Sequence, residues 1–370
     1  MLNHPIDFPA RIHSHIQAFN NDYLYQRLPA EPDKWVLASA MQKAVRRGRE
    51  KDAVIAALTL LQVDPKKLWH RLQVIGPEDV TPEAIDLMAD IFWAASNRSW
   101  RKKNGGDVVI VGSLIQALCK YPHNRVANDL AVNANRHPAI REAATAFVRL
   151  TDQELAGIYL DAQHPIVERA VAARYLAGVQ SYKLRFLHPR NGNKDFFLSL
   201  HTPDRFPPHL IQVIEIGIGR QEDHIALMAL SYEHRQNGGT ITYQNECEIE
   251  TPKFGSWHSD TYDLHTGLGM IALKSVVSRD NLISRFLNTH VPDVNHAKAL
   301  GVTAFALEGQ NLKQREMYTG MDDLLKEAKQ AYVARYKLVG AMKNDFFEIV
   351  RENFDIIHHA RERVLNLRSQ

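Results

Sequence analysis

Residues 33–80 read DKWVLASAMQKAVRRGREKDAVIAALTLLQVDPKKLWHRLQVIGPEDV and decide the fold class. Apolar residues recur at steps of three and four on both sides of Gly48, which is the period of an amphipathic α-helix. Asp64 followed by Pro65 supplies an N-cap and a proline at the first helical position. The stretch therefore predicts a helical hairpin that breaks near Gly48, and a further helix that ends at Pro77.

The same stretch carries a local excess of positive charge. Between residues 34 and 71 there are nine lysines or arginines against three acidic residues, although the net charge of the whole chain is only +3. Such an imbalance favours contact with a polyanion or an acidic protein surface, through exposed arginines such as Arg46, Arg47 and Arg49. The candidate nucleic-acid-binding residues are Lys43, Arg46, Arg47, Arg49, Lys66, Lys67, Arg71, Arg98, Arg101, Lys102 and Lys103.

Composition and length indicate an ordinary globular protein. The chain has 370 residues, of which 45% are hydrophobic and 24% are charged, enough for one large core or two modest ones. Two cysteines, Cys119 and Cys247, form no zinc or disulfide pattern and favour a reducing compartment. Because no stretch of 18 apolar residues and no secretory leader pattern is present, we expect a cytoplasmic protein without a membrane contact.

The pattern along the chain predicts an all-α fold with one small β hairpin. We expect an N-terminal extension at 1–33, a helical region at 34–181, a linker or loop at 182–208, and a C-terminal helical region at 209–370. Within the last region, alternating residues near 238–251 predict the hairpin, or an extended flap, around Gln244 and Asn245.

Two similar His-Pro segments lie in the helical region. RHPAIRE at 136–142 and QHPIVER at 163–169 are offset by 27 residues, and in each the proline suits the first turn of a helix. The copies indicate HEAT-like helical pairs, although two copies are fewer than a stable solenoid requires. His137 and His164 are therefore interpreted as helix-start residues in preference to ligands.

The order of these motifs resembles the C-terminal helical region of MgsA/RarA-type AAA+ proteins, which are relatives of clamp-loader subunits that act at stalled replication forks. That family has paired helices, a DP turn, an RRL helix, an EDIG-like cap and a PKSN-like helix end. The resemblance covers residues 34–129, and the matching positions are Arg46, Arg47, Gly48, Asp64, Pro65, Arg71, Leu72, Glu78, Asp79, Pro122 and Asn124.

The chain departs from that family at the nucleotide site. No G-x-x-x-x-G-K-[ST] string is present, and GGDVVIVGS at 105–113 lacks the lysine that contacts phosphates. The resemblance thus implies a module without the ATPase core, similar to uncharacterised proteins of bacterial mobile elements. We expect no cofactor, a partner that is DNA or a replication, repair or defence protein, and a homo-oligomer or a stable complex formed through the helices between Trp35 and Asn128.

An alternative site lies at residues 257–267, which read WHSDTYDLHTG. The imidazole and carboxylate groups of His258, Asp260, Asp263 and His265 are suitable metal ligands, and a metal there would support a hydrolase or a nuclease. The spacing matches no established metal motif, and Asp263 and Thr266 also suit the start of a helix. The sequence therefore favours a non-enzymatic helical binding module and leaves the metal-dependent hydrolase as the second hypothesis.

Overall fold

A computed structural model describes residues 6–179, 186–220, 222–246, 249–338 and 341–368. Over these residues the chain is mainly helical with two small two-stranded sheets, which confirms the predicted fold class. No helix of the described ranges has both the length and the apolar composition needed to span a bilayer. Cys119 is buried, whereas Cys247 lies outside the described residues.

The part of the chain that precedes the first strand is entirely helical apart from its connections. Its α-helices are α1 Phe8–Gln17, α2 Lys34–Arg46, α3 Glu50–Val63, α4 Pro65–Asp79, α5 Ile85–Ser96, α6 Arg98–Lys103, α7 Gly106–Leu118, α8 Val126–Arg136, α9 Arg141–Phe147, α10 Asp152–Leu160, α11 Ile166–Ala177, α12 Lys194–Ser199, α13 Pro208–Arg220, α14 Asp223–Ala226 and α15 Met228–Asn237.

The remainder of the chain mixes short strands with helices. Its elements are β1 Thr242–Glu246, β2 Lys253–Phe254, β3 Trp257–His258, α16 Gly267–Val277, α17 Leu282–His290, α18 His296–Gly309, β4 Leu312–Met317, α19 Met321–Val333, α20 Ala341–Glu352 and α21 Phe354–Arg368. A 3₁₀ turn at Ser259–Thr261 links β3 to the segment before α16.

The helical hairpin predicted from residues 33–80 is confirmed. The Asp33 carboxylate accepts a hydrogen bond from the Trp35 backbone N–H at 2.8 Å and so caps α2. Gly48 has a φ of 58°, a left-handed conformation that glycine adopts without steric cost, and it separates α2 from α3. The Asp64 carboxylate accepts from the Lys67 N–H at 2.9 Å and caps α4.

The predicted end of α4 at Pro77 is wrong. The helix continues through Pro77 to Asp79, and the Val80 N–H still bonds the Gly76 carbonyl at 2.9 Å. A proline in the last turn removes only its own N–H donor, so the following backbone can close that turn. The extra residues place the side chains of Glu78 and Asp79 beside α2.

The β structure differs in position from the prediction. β1 pairs antiparallel with β4, which lies far along the chain, so Gln244 and Asn245 lie in a strand and not in a hairpin turn. The true hairpin is β2 with β3, whose connection contains Gly255 at a φ of 62°. Residues 247–248 of the predicted flap lie outside the described residues.

Two main hydrophobic cores organise the helices. The first contains buried residues from α1 through α15 together with Trp257, Tyr262, Tyr318, Met321 and Leu324, and the second contains other residues between 249 and 360. Within the predicted linker at 182–208, residues 182–185 lie outside the described residues, while Leu187, Phe197 and Phe206 are buried in the first core. The change of composition near 182–208 therefore does not coincide with the change from one core to the other.

The His-Pro segments start helical structure as predicted. Pro138 begins a 3₁₀ turn that leads into α9, and the His137 ring accepts a hydrogen bond from the Ala139 N–H at 3.2 Å. Pro165 immediately precedes α11, which packs against α10 as a helical pair.

Helix α2 lies where the two cores meet. It packs on α3 and α4 of the first core and on the 3₁₀ turn at Ser259–Thr261. The same turn contacts α21, which packs against α16. The side chains of α2 therefore meet residues that are more than 200 positions away in the sequence.

Candidate functional site

The basic residues predicted to bind nucleic acid differ in their exposure. The exposed ones are Lys66, Arg98, Lys102 and Lys103, the half-buried ones are Arg49, Lys67 and Arg71, and the buried ones are Lys43, Arg46, Arg47 and Arg101. The expectation that Arg46 and Arg47 are exposed is wrong, since their exposed fractions are 1% and 6%. Carboxylates from other parts of the chain surround them, so these two arginines are not available on the surface for phosphate contacts.

The Asp79 carboxylate binds two buried arginines. The Arg46 Nε and Nη2 atoms lie 3.0 and 3.1 Å from the two carboxylate oxygens, and the Arg125 Nη1 atom lies 2.6 Å from Oδ1. Gln42 also donates to Asp79 at 2.7 Å. Burial opposes ionisation of Asp79, but the positive charges of Arg46 and Arg125 outweigh it and lower the pKa.

Lys43 and Arg47 contact the segment at residues 260–263. The Lys43 ammonium donates to the Asp263 carboxylate at 2.5 Å and to the Asp260 carbonyl, and Arg47 forms an ion pair with the Asp260 carboxylate. Burial opposes ionisation of Asp263, yet the nearby positive charge of Lys43 lowers its pKa. The Arg47 Nη2 atom also donates to the Glu308 carbonyl at 3.2 Å.

A third buried pair joins α18 to α21. The Arg361 Nη1 and Nη2 atoms lie 2.6 and 3.1 Å from the two oxygens of Glu308, which is a bidentate arrangement. Burial opposes ionisation of Glu308, but Arg361 and Lys43 outweigh it and lower the pKa. Both side chains are almost fully enclosed, at 1% and 0% exposure.

These pairs form one group that we call the buried ionic network. Its cations are Lys43, Arg46, Arg47, Arg125 and Arg361, and its anions are Asp79, Asp260, Asp263 and Glu308. A buried ion pair repays its desolvation only when the geometry is good, and removal of one partner leaves an uncompensated buried charge. The network therefore ties α2, α4 and α8 to the C-terminal helices in one arrangement.

The four candidate metal ligands contact different partners. His258 bonds the Thr251 carbonyl at 2.6 Å and Asp52 at 3.2 Å, whereas Asp260 and Asp263 pair with Arg47 and Lys43. The His265 ring packs edge-on against Phe305, with 5.2 Å between ring centroids. Among the residues that the structure describes, no group of three or more His, Cys, Asp or Glu side chains is placed to hold a metal ion.

The four exposed cations belong to α4 and α6, two helices that contact each other through Trp69 and Arg101. The Arg101 guanidinium lies 4.3 Å from the centroid of the Trp69 ring, and its Nε atom donates to Asp107 at 2.6 Å. Lys66 precedes Trp69 by three residues, and Arg98 precedes Arg101 by three, so each lies on the same side of its helix as the contact. We call Lys66, Arg98, Lys102 and Lys103 the α4–α6 face.

A separate cleft of about 410 Å³ opens between α2, α4 and α18. Its walls include the aromatic rings of Trp35 and Phe305, the polar side chains of Ser39 and Gln42, and the half-buried Arg71. Lys43, Arg46 and Asp263 of the buried ionic network also line it. The cleft thus combines apolar walls with a few convergent polar groups, which is typical of small-molecule sites.

Sequence reasoning missed several members of these sites. It gave no role to the charges of Asp79, Arg125, Glu308 and Arg361, although all four are buried and paired. One signal was available in α2, where Lys43, Arg46 and Arg47 are spaced i, i+3 and i+4 and share one helix face. This spacing indicates that the three cations share one environment. Only the tertiary structure shows that this environment is buried.

No protein-family model matches the chain, and the searches of curated proteins and of solved structures likewise gave no match.

Proposed function

We propose that this protein is a non-enzymatic helical module that binds DNA through the α4–α6 face. The observation that supports the proposal is that four exposed cations belong to α4 and α6, the two helices that the contact between Trp69 and Arg101 joins. Within the described ranges, the four cations have no carboxylate partner, so their charge is not neutralised by the protein itself. The resemblance to clamp-loader-like helical regions supports a role in DNA replication, repair or mobile-element transfer.

The physical basis of such binding is the release of counterions from phosphates. Each lysine or arginine that neutralises a phosphate releases about 0.9 counterion from duplex DNA, so affinity falls steeply with salt. Contacts of these four cations to phosphates carry no sequence information directly, which predicts binding with little sequence preference.

Fluorescence anisotropy with a labelled 20-base-pair duplex tests the proposal. The test variant replaces Lys66, Arg98, Lys102 and Lys103 with glutamine. The control replaces four exposed cations of the C-terminal helices and their connections with glutamine, namely Lys274, Arg279, Lys298 and Arg363. Both variants lose the same formal charge, so any general effect of net charge is shared by the two.

We expect the test variant to lose at least tenfold in affinity at low salt and to show a shallower dependence on salt, by up to about four units of slope. The control is expected to bind like the wild type. Equal affinity of the wild type and the test variant, or equal losses in the two variants, would refute the α4–α6 face as the binding site.

A homo-oligomer, or a stable complex with a replication, repair or defence protein, remains part of the proposal because the resemblance implies it. Of the tryptophans in the predicted contact region, Trp35 is 49% exposed, whereas Trp69, Trp93 and Trp100 are largely covered by the chain itself. Trp69 is buried, and Trp93 stacks on Phe8 with 5.6 Å between ring centroids and contacts Trp100 at 5.1 Å. Light scattering tests the assembly, and a strict monomer would remove the homo-oligomer.

Among the described residues, no observation supports the hydrolase hypothesis as the exposed cations support DNA binding. His258, Asp260, Asp263 and His265 each have separate partners, and the first three pair with Asp52, Arg47 and Lys43 respectively. We therefore propose no reaction for the segment at residues 257–267.

A further inference from the structure

The cleft between α2, α4 and α18 has the dimensions of a small-molecule site. Its volume of about 410 Å³ lies within the range of about 300–1,000 Å³ that is usual for ligand pockets. The exposed cations of the α4–α6 face do not line it, so the cleft is a separate feature from the proposed DNA-binding surface.

Aromatic surface is available at the mouth of the cleft. Trp35 is 49% exposed, although an indole ring is large and mostly apolar. The Lys67 ammonium lies 3.8 Å from the centroid of the Trp35 ring, a cation–π contact that places positive charge beside this wall. Phe305 provides a second aromatic ring in the same cleft. Because Lys67 already covers one face of the indole, a flat ring of a ligand would stack on the opposite face.

Arg71 supplies spare donors for an anion. Its Nη1 atom donates to Gln42 at 3.3 Å and lies 4.0 Å from the Glu78 carboxylate, which is the limit of an ion pair. The Arg71 Nε atom is enclosed, but the side chain as a whole is 24% exposed, so an anion would reach the guanidinium at its Nη atoms. A guanidinium that is held so loosely can bind a phosphate or a carboxylate with two parallel hydrogen bonds.

The acidic groups of the cleft are already compensated. Asp263 is paired with Lys43, and Glu78 accepts hydrogen bonds from Gln42 at 2.9 Å and from Arg125 at 3.5 Å. Consequently an anion beside Arg71 meets little net repulsion. His265 packs on Phe305, and burial lowers the pKa of its imidazole, which favours the neutral ring with one donor and one acceptor nitrogen.

We propose that this cleft binds a nucleoside monophosphate, with the base against Trp35 and Phe305, the edge of the base near His265, and the phosphate at Arg71. This ligand class unites the three features of the site, which are aromatic walls, a neutral hydrogen-bonding group and a loosely paired guanidinium. The proposal does not depend on DNA binding by the α4–α6 face.

Isothermal titration calorimetry with adenosine 5′-monophosphate on the full chain tests the proposal. Adenosine, which lacks the phosphate, and ribose 5-phosphate, which lacks the base, separate the two halves of the ligand. The variants are Trp35→Leu and Arg71→Gln, and the control is Arg279→Gln, an exposed arginine elsewhere in the chain. Circular dichroism confirms that each variant remains folded.

We expect adenosine 5′-monophosphate to bind more tightly than either fragment, and each cleft variant to weaken its binding by about tenfold or more, since stacking and charged hydrogen bonds are each of that strength. Arg279→Gln should bind as the wild type does. Absence of binding at millimolar nucleotide, or binding that both cleft variants leave unchanged, would overturn the proposal.

DNA binding by the α4–α6 face and nucleotide binding by the cleft can be tested independently of each other. The glutamine variant of the α4–α6 face should keep the affinity for adenosine 5′-monophosphate, and the cleft variants should keep the affinity for duplex DNA. Loss of nucleotide binding in the α4–α6 variant would assign the nucleotide to that face and would contradict the cleft as its site.

Discussion

The cations of the buried ionic network and of the α4–α6 face are the same residue types, lysine and arginine, but they differ in exposure. Lys43, Arg46 and Arg47 of α2 point inward to carboxylates, whereas Arg98, Lys102 and Lys103 of α6 remain exposed. The difference shows that the density of charge along a sequence does not determine whether that charge reaches solvent. Spacing along the helix and the partners supplied by distant segments decide it.

Helical spacing explains the contrast in part. Lys43, Arg46 and Arg47, at the end of α2, share one helix face. Lys43 and Arg47 meet the segment at residues 260–263, and Arg46 meets Asp79 of α4. In α6, Arg98 and Lys102 are spaced i and i+4 and share one exposed side of the helix, whereas Arg101 turns inward. A short helix with consecutive charges cannot bury all of them, since each buried cation needs a carboxylate or a carbonyl partner.

The largest expected effect is the loss of Asp79. Asp79→Asn removes the carboxylate that both Arg46 and Arg125 contact, and leaves two buried guanidinium groups poorly compensated. We expect the free energy of unfolding to fall by about 3–5 kcal/mol, the usual cost of a broken buried ion pair. Urea denaturation measures it.

Asp280→Asn is the matched control for that variant. Asp280 also forms a bidentate pair, with Arg285, but both side chains are largely exposed, at 71% and 66%. Exposed pairs contribute little to stability, so the control should unfold like the wild type. Similar losses in the two variants would contradict a structural role that is specific to the buried pairs.

A second prediction distinguishes the loss of one partner of a buried ion pair from the loss of both partners. Arg361→Met leaves Glu308 buried without its bidentate partner and should lower the free energy of unfolding by about 3–5 kcal/mol. The double variant Arg361→Met with Glu308→Leu removes both charges and should recover much of that loss. If the double variant is less stable than Arg361→Met, the buried charge of Glu308 is not the cause of the destabilisation.

Local signals in the sequence predicted the helices of residues 33–80, because caps and helix breaks act over a few residues. Asp33, Gly48 and Asp64 illustrate this. Strand pairing was not predictable in the same way, since the partner of β1 is β4, some 70 residues later. The inward orientation of Arg47 was likewise hidden, because its partner Asp260 lies in another part of the chain.

A smaller effect concerns Asp129 in α8. Burial raises the pKa of this carboxyl to about 6 from its ordinary value of 3.8, although Arg125, Arg315 and Lys329 oppose the rise. The folded state therefore binds more protons than the unfolded state between about pH 4 and pH 6, and the contribution of Asp129 to stability falls as the pH rises through this window.

The variant Asp129→Asn removes that titration. The difference in unfolding free energy, variant minus wild type, should rise by roughly 2–3 kcal/mol between pH 4 and pH 7.5, from about 1.4 kcal/mol for each unit of pKa. Urea denaturation at the two pH values gives this difference. A difference that stays constant over the window would show that Asp129 does not titrate there.

The most direct test of the division between the two regions measures stability and DNA affinity on the same two variants. One replaces Lys66, Arg98, Lys102 and Lys103 with glutamine, and the other is Arg361→Met. We predict that the first loses DNA binding at least tenfold with unchanged unfolding free energy, and that the second loses stability while its folded fraction binds DNA as the wild type does. The opposite pattern, or loss of both properties in both variants, would contradict the assignment of the exposed cations to binding and of the buried cations to the fold.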